Sequence, residues 1–133
     1  MGLQFPDRFK DLGYLILRAG MGIMFIHHGY GMLAGGAAVW EQVGSAVGIF
    51  GITFGHKVFG LLATFSEFGG GICLILGIFF RPACLMMFLT MSVATLMHLS
   101  KGDGLAIASH AIEAGIVFFS LMLIGPKLQK EKK

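Results

Sequence analysis

Apolar residues fall into long runs along this chain, parted by short breaks rich in glycine, proline or charge. The runs cover about 11–33, 57–80, 83–99 and 105–124. A helix needs about 20 apolar residues, rising about 1.5 Å each, to cross a hydrocarbon core about 30 Å thick. Four such runs with short joins consume nearly the whole length. The pattern therefore predicts an all-α integral membrane four-helix bundle, a single domain over residues 1–133.

The breaks sharpen that reading. Pro6 and Asp7 suit a helix start or an interfacial turn ahead of Phe9. Residues 34–56 are the longest connection, and Trp40 among its small residues predicts a short interfacial helix at about 38–50, because Trp favours the headgroup level. A loop resting on the membrane surface is the competing expectation. Arg81-Pro82 reads as a tight join between the second and third spans, Ser100–Gly104 as a polar turn, and Gly125-Pro126 as the stop of the last span. A basic start, an apolar run and the small residues Ala34–Ala38 would also suit a signal peptide, but Arg18, His27 and His28 inside the run argue against one.

Composition agrees: 56% of residues are hydrophobic and 13% charged, which sets the chain apart from ordinary soluble proteins. The net charge of +3 comes mostly from the ends, so it speaks of topology and not of nucleic-acid binding. Arg8, Lys10, Arg81, Lys127, Lys130, Lys132 and Lys133 lie on the side of the termini, against Lys57 and Lys101 on the other. The positive-inside rule then places both termini in the cytoplasm, with the chain multi-pass in the inner (cytoplasmic) membrane. Cys73 and Cys84 have neither CxxC nor zinc spacing and read as small packing residues.

The candidate chemistry lies where polar groups enter the apolar runs. A carboxylate at membrane depth costs about 2.5–3.5 kcal/mol on insertion scales, so it normally faces a protein interior. Counting the rise along each run puts Glu67 about 20 Å, Glu113 about 18 Å, His110 about 22 Å, and His27, His28 and His98 about 24 Å above the cytoplasmic edge. Every span thus brings an ionisable residue to one layer in the outer half. His110 and Glu113, at i and i+3, are expected to point inward together. His27 and His28 are about 100° apart and cannot both do so. Arg18 lies lower, either reaching up to a carboxylate or snorkelling to the inner face.

The glycines have a packing role first. Gly69, Cys73 and Gly77 form a small-residue ridge, and Gly20, Gly22, Gly29 and Gly31 thin the first helix. The Gly69-Gly70-Gly71 run after Glu67 suits a helix loosened beside a ligand, with Gly70 at that ligand. No strand precedes it, which excludes a phosphate loop.

The first-span LILRAGMGIMFIHHGYGML, the second-span ATFSEFGGGICLILGIFFRPA, His98 and Glu113 together resemble the DoxX family of small four-span membrane proteins, over residues 12–126. The resemblance implies a four-helix bundle in a cytoplasmic membrane and an association with redox chemistry, since the family name comes from a subunit of a thiosulfate:quinone oxidoreductase. The leading expectation is a redox-linked subunit that binds a quinone or similar hydrophobic carrier. Glu67, Glu113, His110 and His98 would move protons, and Arg18, His28 and Gly70 would line the ligand. With no flavin fingerprint and no iron–sulfur cysteine set, electrons would come from a redox partner protein, a metal or a haem. One alternative is a metal- or haem-binding bundle, suggested by the reversed His110-x-x-Glu113 pair. The other is a non-catalytic scaffold or small-molecule passage, with self-association into a homo-oligomer through small-residue faces.

Overall fold

The computed structural model describes residues 2–128 as four helices, α1 (Asp7–Gly44), α2 (His56–Leu76), α3 (Phe80–Ser100) and α4 (Leu105–Ile124), with a 3-10 helix over Ser45–Phe50. Lys130, Lys132 and Lys133 of the expected basic tail lie outside the described residues. Three helices, α2, α3 and α4, are long and apolar enough to cross a membrane, and the described residues contain no strand. The all-α membrane bundle is therefore the fold. In α1, Arg18, His27, His28 and interspersed glycines dilute the apolar character, so its crossing remains an expectation.

The first helix is longer than its apolar run because it breaks and resumes. Gly36 takes φ 72° and ψ −161°, a backbone region that is essentially glycine's alone. The Trp40 indole Nε1–H reaches back across the break and donates to the Met32 carbonyl, at 3.0 Å. Helical structure then runs on to Phe50, across the stretch expected to hold a short helix.

The second helix ends four residues earlier than its apolar run predicts. Gly77 adopts a left-handed φ of 74° and its N–H caps the Cys73 carbonyl at 2.8 Å, which turns the chain at a point where continued hydrophobicity gave no warning. Phe79, with φ 45°, completes the turn. The join therefore lies at residues 77–79, and Arg81-Pro82 belongs to the first turn of α3, where the missing proline N–H costs nothing.

Packing follows side-chain size. Gly22 faces the Gly71 carbonyl, and Gly29 faces the Phe68 backbone so closely that a Cβ would stand 2.4 Å from its nitrogen. Gly44 and Gly60 make similar backbone contacts at the far end of the same seam. The expected ridge is thus displaced: Gly20, Gly31 and Gly69 have no neighbour within 4 Å of an added Cβ. Between α1 and α4 the gap is filled by side chains, with Phe25 edge-on to Phe118 at 4.7 Å between centroids. Leu74, Cys84, Met87, Phe118 and Leu121 form the buried centre.

Candidate functional site

The antiparallel order gives the bundle two ends. One holds the chain termini and the α2–α3 turn, and the other the α1–α2 connection and the α3–α4 turn. The ionisable residues divide between them.

At the terminal end, Arg18 donates from Nε and Nη2 to the Leu74 carbonyl, at 3.1 and 2.9 Å, and from Nη1 to the Pro126 carbonyl at 2.6 Å. These oxygens are left over where α2 stops and just beyond α4. The Tyr14 hydroxyl donates to the Gly125 carbonyl, and Arg81 Nε to the Met122 carbonyl at 3.2 Å. The structure therefore does not bring Arg18 to a carboxylate. Its guanidinium ties helix ends together and stacks against Phe80, 5.1 Å from the ring centroid.

Glu67 has a different setting. It sits near the middle of α2, 8% exposed, and no hydrogen bond or ion pair to a described residue occupies its carboxyl. Two cavities meet beside it, sharing Glu67, Met91, Ala94 and His98 as their common wall. The smaller, about 260 Å³, is also lined by His28, His110 and Phe25. One ionisable residue from each helix reaches this space: His28 from α1, Glu67 from α2, His98 from α3 and His110 from α4. The His28 and His110 rings stand 5.7 Å apart and close the α1–α4 gap above the Phe25–Phe118 contact.

The larger cavity, about 680 Å³, opens between α2, α3 and the connection that follows the Gly36 break. Phe50, Phe59, Leu62, Met86, Leu89 and Met97 make most of its wall apolar, while Gln42, Thr90 and Lys101 join Glu67 and His98 as its polar groups. Phe50, Leu62, Met86 and Leu89 are also exposed on the outside of the bundle. The cavity therefore meets the lipid-facing surface as well as the polar layer.

His98 is not free to turn. Its Nδ1 lies 2.8 Å from the Asp103 carboxylate, which sequence reading treated only as a turn residue. The helix end places it there. Gly102 takes φ 75°, its N–H bonds the Leu99 carbonyl, and the Asp103 N–H returns to the His98 carbonyl at 3.1 Å. This is the paired bonding of a glycine-terminated helix, which folds the residue after the glycine back over the last turn. The Lys-Gly-Asp that follows His98-Leu99-Ser100 was the available signal.

Two expected members stand apart. Glu113 is exposed and lines neither cavity. The inward face of α4 carries Ala108, Ala111, Gly115 and Phe118. At about 100° per residue His110 falls on its flank and Glu113 about 60° further out, so the i, i+3 pair cannot share the interior. Gly70 is buried but also lines neither cavity. It makes room for Met87 of α3, whose sulfur would lie 2.6 Å from an added Cβ. Its role is close helix approach. Among the described residues no three His, Cys, Asp or Glu side chains are placed to hold a metal ion.

The family model DoxX matches residues 13–100, two-thirds of the chain. The chain belongs to the DoxX family. Searches of curated proteins and of solved structures found no match. The DoxX match takes in Arg18, His28, Glu67 and His98 and stops at Ser100, so Asp103, His110 and Glu113 lie beyond it. The matched stretch spans most of α1 and all of α2 and α3, with Glu67 and every lining residue of the larger cavity but Lys101.

Proposed function

We propose that this DoxX-family protein is a redox-linked membrane subunit that binds a quinone or similar hydrophobic carrier in the larger cavity. The observation that carries the reading is an apolar space of about 680 Å³ that reaches the lipid-facing surface and ends on Glu67, a carboxyl with no partner among the described residues, next to His98. A flat, lipid-soluble carrier with polar oxygens at one end matches that wall in size and polarity. Such a carrier supplies two-electron chemistry, and its reduction consumes protons. Glu67 can hold and give a proton at its carboxyl oxygen. His98, with Nδ1 fixed by Asp103, keeps Nε2 for exchange with the cavity, and the Asp103–His98 pair connects it to the polar turn at the end of the bundle.

The same reading has α1 as a fourth crossing, since its stretch from Asp7 to Gly36 is about 45 Å long at the helical rise. It sets both termini in the cytoplasm and the cavity in the outer half of the inner membrane. The chain has two cysteines and no flavin fingerprint, so a redox partner protein would deliver or accept the electrons. The test is to purify the protein in mild detergent, extract it for quinones, and titrate it with a decyl-substituted benzoquinone. Saturable binding that is lost in Glu67→Gln, with the variant still inserted and folded, supports the reading. Unchanged binding in Glu67→Gln, or none in the native protein, overturns it.

A further inference from the structure

Glu113 raises a separate question, because it stands near the middle of the apolar helix α4 on the face turned away from the bundle. Lipid offers a carboxyl no hydrogen bond, and within the chain none of the described hydrogen bonds or ion pairs reaches it. The residues around it follow a strict alternation of four and three: Ala106, His110, Glu113, Val117, Ser120 and Ile124. All but the half-buried Val117 are exposed. A spacing that averages 3.5 residues keeps one seam facing a neighbouring helix along its whole length. Small and polar residues in the seam are those that allow close approach and hydrogen bonding between membrane helices.

We infer that this stripe is the contact surface of a homodimer, in which α4 of one copy packs parallel to α4 of a second copy, with His110 and Glu113 hydrogen-bonding across the interface. The charge pattern selects a second copy. Copies inserted with the same topology are parallel, so a two-fold axis along α4 brings each layer of the stripe against the same layer of its mate. His110, a donor, and Glu113, an acceptor, occupy successive layers. Each copy therefore offers both members of two identical pairs, and the stripe complements itself. Ser120 adds a hydroxyl two layers on. Glu113 and Ser120 line neither of the cavities beside Glu67, and His110, on the flank of α4, also lines the smaller one, so the test rests on Glu113 and Ser120.

Disulfide cross-linking of the full-length protein in native membranes tests this, in a background with Cys73→Ala and Cys84→Ala. Ser120→Cys should give a cross-linked dimer on mild oxidation, while Phe119→Cys, exposed on a different face, should not. Glu113→Leu should weaken dimerisation on the order of tenfold, the effect of losing two interhelical hydrogen bonds, and Glu113→Gln should recover part of it. Photobleaching step counts in bilayers read the same equilibrium without cysteines. Equal cross-linking at both positions, a monomer in bilayers, a cross-link to a different protein, or unchanged dimerisation in Glu113→Leu would each overturn the assignment.

Discussion

The two ends of the bundle use the same kinds of residue in opposite ways. At the terminal end, Arg18, Tyr14 and Arg81 are spent on carbonyl oxygens that α2 and α4 leave over, and each donor meets an acceptor of its own chain. Toward the other end, Glu67 has no hydrogen-bond or ion-pair partner among the described residues and opens onto two cavities, while His28, His98 and His110 converge on the smaller one. A satisfied polar group holds helices in place, whereas an unsatisfied one beside a cavity is available to a ligand. The contrast separates a fastening from a candidate site, although both are built from ionisable residues inside a membrane bundle.

Substitution should split the two ends by the quantity it changes. The largest effect is expected for Arg18→Leu, which strips donors from the Leu74 and Pro126 carbonyls at once and should cost about 3 kcal/mol or more, read as a lower unfolding temperature in detergent. Arg18→Lys should recover only part of this, because one ammonium cannot fork between two helix ends. An unchanged unfolding temperature in Arg18→Leu would erase the distinction between the ends. Glu67→Gln is expected to act in the other sense: activity in cells lacking the native protein should fall about 100-fold, the usual weight of a positioned proton donor, with the unfolding temperature unchanged or higher.

Asp103→Asn keeps the contact to His98 but removes the negative charge behind it, and a loss of about tenfold is expected, with quinone binding largely kept. Equal losses in binding and turnover would make Asp103 a packing residue only. The smallest change is set for Trp40→Phe, which leaves the Met32 carbonyl without its indole donor and should cost about 1 kcal/mol. Hydrogen exchange at Ala37–Gly44 would rise above that of α2 if the indole is what holds the break closed.

Much of this was legible in the chain. The four helical runs, the helix after the first long run and the polar layer follow from where charge and histidine interrupt hydrophobicity, and four of the six residues placed in that layer do line one cavity. Hydrophobicity could not place the turn at Gly77, because the residues on both sides are equally apolar and only the left-handed backbone ends the helix. It could not assign Asp103 to His98, since that pairing depends on a turn folding back.

The sequence by itself determined an all-helical membrane bundle, and residue count with the rise of a helix set the expectation that its ionisable groups share one level. Tertiary structure decided which of those groups face inward, because rotation about each helix axis is set by packing. Gly22 and Gly29 on α1 turn His28 toward the α1–α4 gap. The Ala108–Phe118 face of α4 turns Glu113 out, and the loose ends of α2 and α4 take Arg18 away from any carboxylate.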